Sequence, residues 1–151
     1  MSVNDRPAEQ GLEITRVFDA PRSLVFKAWS SAEHCAQWFG PRDFTVPSCR
    51  VDFRVGGAYR ANIRSPDGTD YWMRGIYREI VEPERLVFTF SWEEEGERGL
   101  DTLVTVLFAE QDGKTRLTFR QAPFQSIGER DGHEHGWSEC FERLAAYLAR
   151  M

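Results

Sequence analysis

The feature that most constrains the fold is a change in hydrophobic period along the chain. Between residues 44 and 121, apolar and polar residues alternate with period two in six segments, which is typical of half-buried β-strands. From residue 137 onward, apolar residues recur at helical spacing, in a stripe of Trp137, Cys140, Phe141, Leu144, Tyr147 and Leu148. Strands followed by one amphipathic helix predict an α+β protein in which the helix covers one face of a sheet.

The element bounds follow from the same patterns. Residues 12–18 predict a first strand, and residues 22–29 and 32–38 predict two short helices. Further strands are predicted over residues 44–55, 58–64, 70–81, 85–92, 100–110 and 115–121. Because the turns between the later strands are short, these strands are expected to be antiparallel.

Two local signals refine this outline. Pro47 places its strand at a sheet edge or at a bulge, because proline cannot donate a ladder hydrogen bond. Asp131 and Glu134 have the spacing of a capping box, which predicts that the last helix begins at Gly132. We expect one domain over residues 12–151, preceded by a flexible tail of residues 1–11.

The charge balance excludes several classes of partner. The formal net charge is −5, whereas nucleic-acid binders need clustered lysine and arginine. The densest charge run, residues 93–97, is acidic and indicates a solvated loop. Neither a membrane-spanning segment nor a secretory signal is visible. We therefore expect a cytoplasmic protein with no nucleic-acid or membrane partner.

The cysteines and histidines do not predict a metal centre. Cys35, Cys49 and Cys140 are far apart and odd in number, which favours small buried thiols in a reducing compartment. His34–Cys35 and His133–His135 lack the usual ligand spacing. No metal, no cofactor and no catalytic residue is predicted.

Aromatic residues are the unusual part of the composition, with 11 Phe, 5 Trp and 4 Tyr. Strand alternation places many on one face: Tyr59, Tyr71, Tyr77, Phe88, Phe90, Trp92, Phe108 and Phe119. A helix is about 10 Å across, whereas six or seven strands at roughly 4.8 Å spacing span about 30 Å. One helix therefore leaves part of a curved sheet uncovered. The aromatic rings either fill that space or line a cavity in it.

Several stretches resemble a known family. They are Asp19-Ala20-Pro21 and residues 29–41, 51–59, 65–69, 75–87 and 133–148. Their order resembles that of the START-like (SRPBCC, helix-grip) superfamily, in the branch named for activators of the ATPase of the 90-kDa heat-shock protein. The resemblance covers about residues 12–148. It implies a helix-grip fold, in which a curved antiparallel seven-strand sheet (β-αα-β6-α) wraps around the C-terminal helix.

The resemblance leaves three functions open. The superfamily's usual cavity implies binding of a small hydrophobic or amphipathic molecule between the sheet and the C-terminal helix, which is the function we expect. The branch name implies a chaperone partner, although only about 11 residues precede the first strand, so the separate amino-terminal domain of the eukaryotic activators is not expected. Single-domain bacterial relatives resemble polyketide cyclases, which implies cyclase- or hydrolase-type chemistry in the same cavity. The subunit is expected to be a monomer or a homodimer.

The predicted ligand-binding residues combine the inward faces of the strands, the helix stripe and the segment after the second helix. They are Trp38, Phe39, Tyr59, Tyr71, Met73, Tyr77, Phe88, Phe90, Phe108, Phe119, His133, Trp137 and Phe141.

Four of the singled-out positions have two interpretations each. His133 either binds a ligand at the start of the helix or is a capping or buried structural histidine. Glu79 is either a buried acid–base group or the partner of an arginine at the strand end. Gly136 either admits a ligand close to the helix or serves tight packing. The pair Trp38-Phe39 belongs either to a lid or to the core.

Overall fold

A computed structural model describes residues 11–94, 97–98 and 101–151. The helices are α1 (Arg22–Lys27), α2 (Ala32–Cys35) and α3 (Ile127–Leu148). The strands are β1 (Leu12–Phe18), β2 (Thr45–Val51), β3 (Ala58–Arg64), β4 (Asp70–Val81), β5 (Arg85–Glu94), β6 (Glu97–Arg98), β7 (Thr102–Gln111) and β8 (Lys114–Ala122). This order confirms the predicted α+β helix-grip architecture.

The strands form one antiparallel sheet in the order β1-β8-β7-β5-β4-β3-β2, and β6 pairs with β5 beside this path. β1 therefore lies next to the last strand, although it is the first in sequence. β2 is an edge strand, and its register against β3 shifts between Thr45 and Ser48. Both features agree with the prediction from Pro47, which stands between those two residues.

The start of α3 differs from the prediction. The helix begins at Ile127 rather than at Gly132, and the Ser126 side chain caps it by accepting a hydrogen bond from the backbone N–H of Glu129 at 3.0 Å. Ser126 and Glu129 have the S-x-x-E spacing of a helix start. The sequence conceals this start because the first ten helical residues contain Gly128, Gly132 and Gly136 and no apolar stripe.

Other bounds also differ from the prediction. β2 ends at Val51, and residues 52–57 turn through Gly56, which has a positive φ of 84°. The short helices end at Lys27 and Cys35, earlier than predicted, and continue as turns. The acidic run is not wholly a loop, because β5 extends to Glu94 and Glu97 lies in β6. Residues 95–96 of that run, residue 99, residue 100 of the next predicted strand and residues 1–10 of the tail lie outside the described residues.

The predicted helix stripe is the buried side of α3, with Trp137, Cys140, Phe141, Leu144 and Leu148 buried and Tyr147 half-buried. At one end of the interior the rings are in close contact. Phe119 lies 5.4 Å from Phe141, and Phe26 lies 5.2 Å from Phe108, between ring centroids. We call this region the packed end; its residues are Phe18, Phe26, Phe108, Phe119, Phe141 and Leu144.

The outer face of the sheet is polar, as the alternation predicts. Its arginines are exposed on two neighbouring strands, on β3 in Arg60 and Arg64 and on β4 in Arg74 and Arg78, and again on β8 in Arg116 and Arg120. Among the described residues, no helix has both the length and the apolar character needed to cross a membrane.

Candidate ligand-binding cavity

A cavity of about 510 Å³ lies between the sheet and the N-terminal half of α3. This volume is within the range of about 300–1,000 Å³ that small-molecule sites occupy. The lining comes from the segment after α2, from strands β3–β5 and from α3. It consists of Phe39, Gly40, Pro41, Phe44, Ile63, Asp70, Tyr71, Trp72, Met73, Phe90, Trp92, Glu93, Gly132, His133, Gly136, Trp137 and Cys140.

Aromatic rings that contact one another edge to face form the sheet side of the cavity. The centroids of Phe90 and Trp92 are 5.1 Å apart at an interplanar angle of 90°, and Trp92 is 6.3 Å from Tyr71. Phe90 also lies 6.0 Å from Trp137 on α3. Such pairs stabilise one another by about 0.5–1.5 kcal/mol beyond simple burial. The rings thus hold each other in place around the space.

Two glycines open the helix side of the cavity. A methyl group added at Gly132 would have no heavy atom within 4 Å, and one added at Gly136 would meet only Cγ of Pro41, at 3.7 Å. Tight packing therefore does not require glycine at either position, which removes that interpretation of Gly136. Glycine inside a helix is less favourable than alanine by about 1 kcal/mol. The two glycines lie one helical turn apart on the cavity wall, and each leaves space that a side chain would fill.

His133 is the polar side chain that α3 presents to the cavity. The indole Nε1–H of Trp92 donates a hydrogen bond to Nε2 of His133 over 3.0 Å. The imidazole also contacts the rings of Phe90 and Phe124, at centroid distances of 5.6 and 5.0 Å. Burial among these rings lowers the pKa of His133 to about 4, so the side chain is neutral at pH 7.

Because α3 begins at Ile127, His133 lies in the second turn of the helix and not at its start. The prediction that it sits at the helix end is therefore wrong, and so is the capping interpretation. The helix dipole acts within the first turn and gives this residue little support for an anion.

The two carboxylates at the cavity are both held by arginines. Arg64 donates to Asp70 through Nε at 2.7 Å and through Nη2 at 3.3 Å. Arg60 holds Glu93 in the same two-pronged way, at 2.7 and 3.1 Å. The arginine hydrogen bonds hold the pKa values of both carboxyls below their usual range.

Glu79 does not belong to this cavity. Its carboxylate pairs with Arg85 at 3.1 Å, near the end of β4. This is the second of its two predicted interpretations. His133 and Glu79, the pair on which an acid–base mechanism would depend, are thus not brought together in the lining.

Six of the predicted ligand-binding residues line the cavity: Phe39, Tyr71, Met73, Phe90, His133 and Trp137. Tyr71 is predicted to point inward, yet it is 45% exposed because it stands at the open side of the cavity. Tyr59, Tyr77 and Phe88 instead line a neighbouring void of about 10 Å³, the size of one water molecule.

The remaining four predicted residues, Trp38, Phe108, Phe119 and Phe141, are buried in the core and line neither space. The pair Trp38-Phe39 divides between the two interpretations. Trp38 packs 4.7 Å from Trp29 and donates its indole N–H to the carbonyl of Ala28, whereas Phe39 reaches the cavity.

Sequence reasoning omits several lining residues from the predicted site. Trp92 and Ile63 are on the inward faces by alternation, so the pattern carries their signal. Phe44 is the first residue of the predicted strand over residues 44–55, but in the structure it precedes β2 and lines the cavity from the segment after α2. Gly132 lies at the predicted helix start, and only the true start at Ile127 places it inside the helix, one turn before Gly136.

The outer face of the same sheet carries a second, different concavity. This groove of about 570 Å³ has four arginines in its lining, Arg50, Arg60, Arg74 and Arg78, together with Asp101, which is itself engaged. Arg60 lies directly opposite Arg50 on one side and opposite Arg74 on the other. Like charges in such register repel each other. We refer to these three residues as the arginine row.

Comparison with known proteins gives one family. The family model described as Activator of Hsp90 ATPase homolog 1-like protein matches residues 19–149. No curated protein matches the sequence.

Solved structures match over nearly the whole chain. A crystal structure of a protein from Nitrosomonas europaea has 25% sequence identity, covers 96% of this chain and 97% of its own, and superposes with a TM-score of 0.79. The crystal structure of the AHSA1 protein from Silicibacter pomeroyi has 26% identity, coverages of 91% and 96%, and a TM-score of 0.81. A solution structure from Arthrobacter aurescens, with 24% identity, coverages of 97% and 91% and a TM-score of 0.82, shows the fold alone.

Proposed function

The chain belongs to the family of Activator of Hsp90 ATPase homolog 1-like proteins, and we propose that it binds a small hydrophobic or amphipathic molecule between the sheet and α3. The observation that carries the proposal is the cavity of about 510 Å³ with aromatic walls. Apolar clefts of this size with a few polar groups are the usual form of small-molecule sites.

The glycines of α3 support the proposal independently of the cavity's size. An exposed or packing-neutral helix position is normally more stable with alanine than with glycine. Gly132 and Gly136 both face the cavity, and neither is required by a close backbone approach. Larger side chains there would occupy the space that a ligand needs. The helix thus has less favourable residues at the positions where they keep the cavity open.

A titration with 6-propionyl-2-(dimethylamino)naphthalene, a neutral naphthalene ketone whose fluorescence rises in an apolar site, tests the proposal. We expect a saturable increase with one dye per chain. Gly136→Leu places a side chain in the cavity and should abolish this increase. Gly128→Leu is the matched control, because Gly128 lies in the same helix, exposed, and a methyl group there would meet only Oγ of Ser126 at 3.9 Å.

Binding that survives Gly136→Leu, or is lost equally in both variants, would contradict the proposed location. The absence of saturable binding to the unmodified protein would contradict the function itself. Circular dichroism spectra of both variants establish whether α3 is intact, so that lost binding is not confused with lost folding.

The arginine row favours a second candidate function, as a co-factor of the 90-kDa chaperone. The family's description refers to activation of that ATPase. The arginine row is exposed on the outer face of the sheet, although the net charge of the protein is −5. This basic face is therefore complementary to an acidic surface on a partner. Arg60 is already paired with Glu93, so the charges that an acidic partner would meet are those of Arg50 and Arg74, which lie on either side of Arg60.

This candidate predicts a rise in the ATPase rate of the bacterial chaperone when the protein is added. The double variant Arg50→Glu/Arg74→Glu should lose the rise, whereas Gly136→Leu should keep it. No change in rate at saturating protein would exclude the chaperone role. A rise that follows Gly136→Leu instead would assign it to the cavity.

A further inference from the structure

We propose that the cavity selects neutral ligands that carry a hydrogen-bond acceptor, such as a ketone oxygen, and that Nδ1–H of His133 donates to this acceptor. The inference rests on the proposed ligand-binding function and names the chemical class of the ligand.

The contact with Trp92 fixes the tautomer of His133. An indole Nε1–H can only donate, so Nε2 of His133 must accept in the 3.0 Å hydrogen bond. A neutral imidazole has one N–H, and with Nε2 accepting, that proton is on Nδ1. Within the described part of the chain, His133 makes its hydrogen bond through Nε2 and none through Nδ1, and Nδ1 is not among the fully buried atoms without a partner, so it stays accessible. The cavity wall thus presents a donor with a fixed proton.

The charges around His133 favour a neutral ligand. Asp70 and Glu93 are neutralised by Arg64 and Arg60, which reach them from the outer face of the sheet. Burial keeps His133 itself uncharged at pH 7 and raises the pKa of the Cys140 thiol to about 12. A charged ligand would lose its hydration among the aromatic rings without gaining an unpaired opposite charge.

Among the described residues, one buried side-chain acceptor has no hydrogen-bond partner, Oδ1 of Asn62, and Asn62 lies outside the cavity lining. The Tyr71 side chain stands at the open side, 45% exposed. The indole N–H of Trp29, beside the small neighbouring void, is buried and has no hydrogen-bond partner among the described residues, and it too is a donor. A ligand in the cavity that carries an acceptor is therefore complementary to Nδ1–H of His133, whereas a ligand that carries only a donor is not.

Two probes of nearly equal shape isolate this preference. In 2-acetylnaphthalene a carbonyl oxygen stands where 2-isopropenylnaphthalene has a methylene carbon. Isothermal titration of both with the full chain gives the ratio of their dissociation constants. We expect this affinity ratio to favour the ketone and to fall by about tenfold in His133→Phe, which keeps an aromatic ring but removes the donor. His135→Phe is the matched control, because its side chain is 78% exposed and lies outside the cavity lining, and it should leave the ratio unchanged.

The outcomes separate the inference from the function on which it rests. If neither probe binds the unmodified protein, the ligand-binding function fails and the inference with it. If both bind with the same ratio in the unmodified protein and in His133→Phe, ligand binding stands and the inference is wrong. A fall in the ratio with Tyr71→Phe alone would also overturn it, because the acceptor would then lie at the open side.

A spectroscopic measurement tests the tautomer without a ligand. Long-range ¹H–¹⁵N correlation spectra report which imidazole nitrogen carries the proton. At pH 7 we expect His133 to hold it on Nδ1, and we expect Trp92→Phe to mix the two tautomers because the fixing donor is gone. A proton on Nε2 in the unmodified protein would overturn the inference.

Discussion

Aromatic residues lie at both ends of the interior, but they fill one end and surround a cavity at the other. At the packed end, Phe119 of β8 lies 5.4 Å from Phe141 of α3, and both rings are fully buried. At the other end, Phe90 and Trp92 of β5 face a cavity of about 510 Å³. The sheet presents aromatic rings to both ends. The difference lies on the helix, which opposes them with Phe141 and Leu144 at one end, whereas at the other end Gly132 and Gly136 alternate with His133 and Trp137.

This comparison shows that a count of aromatic residues does not decide between a core and a binding site. Phe108 and Phe90 share the inward face of the sheet, yet Phe108 packs against Phe26 while Phe90 borders open space. What differs is the surroundings: Phe108 is enclosed by rings such as Phe26 of α1, whereas Phe90 contacts Trp137 on one side and borders the cavity on another. The role of an aromatic residue is therefore best predicted from the positions that face each other, one on a strand and one on a helix.

The largest expected effect is on the packed end. Phe119→Ala should lower the free energy of unfolding by about 3–5 kcal/mol, because the removed ring leaves a cavity among fully buried neighbours. Phe44→Ala, at a half-buried ring that lines the cavity, should cost about 1 kcal/mol because that ring already borders open space. Urea unfolding of both variants measures the difference. Equal losses of unfolding free energy in the two variants would contradict the distinction between the packed end and the end that holds the cavity.

A smaller effect is expected from lowering the pH at the end of the interior that contains the cavity, which we call the open end. The pKa of His133 is about 4 in the folded chain against 6.5 when unperturbed, so the unfolded state takes up a proton first as the pH falls. The stability that His133 contributes is complete above pH 6.5 and is lost progressively down to about pH 4. The expected loss is roughly 2–3 kcal/mol.

The comparison with His133→Phe isolates this loss, since both proteins share the titration of their carboxylates. Chemical unfolding at pH 7 and pH 4.5 should show a smaller difference for the variant. His135→Gln is the control, because its side chain is 78% exposed on the other side of α3. An identical pH dependence in all three proteins would show that His133 is not buried as described.

The smallest effect is a gain in stability. Gly132→Ala and Gly136→Ala should each raise the free energy of unfolding by about 0.5–1 kcal/mol, because alanine favours the helix and the added methyl group meets no close atom. Thermal unfolding measures the gain. Destabilisation by either alanine would mean that α3 lies closer to the sheet than described, and that the open end is narrower.

The sequence predicts the architecture well for identifiable reasons. The alternation in β5, where Leu86, Phe88 and Phe90 are buried, and the stripe from Trp137 to Leu148 depend only on local periodicity. The same periodicity predicts which residues face inward, and six of the predicted residues reach the cavity.

Local periodicity could not predict which part of the interior is packed and which part holds the cavity. That depends on which strand position faces which turn of the helix. The start of α3 at Ile127 decides this register, and its glycine-rich first turns conceal it. The hydrogen bond between Trp92 and His133, which are 41 residues apart, likewise follows from the fold and not from a motif.

The central claim is that the open end of the interior is a ligand site. A crystal structure of the protein saturated with 2-acetylnaphthalene tests it most directly. We predict the naphthalene rings between Phe90, Trp92 and Trp137, with the carbonyl oxygen about 3 Å from Nδ1 of His133. A saturated protein that holds the probe elsewhere, with side chains filling the space between β5 and α3, would contradict the account.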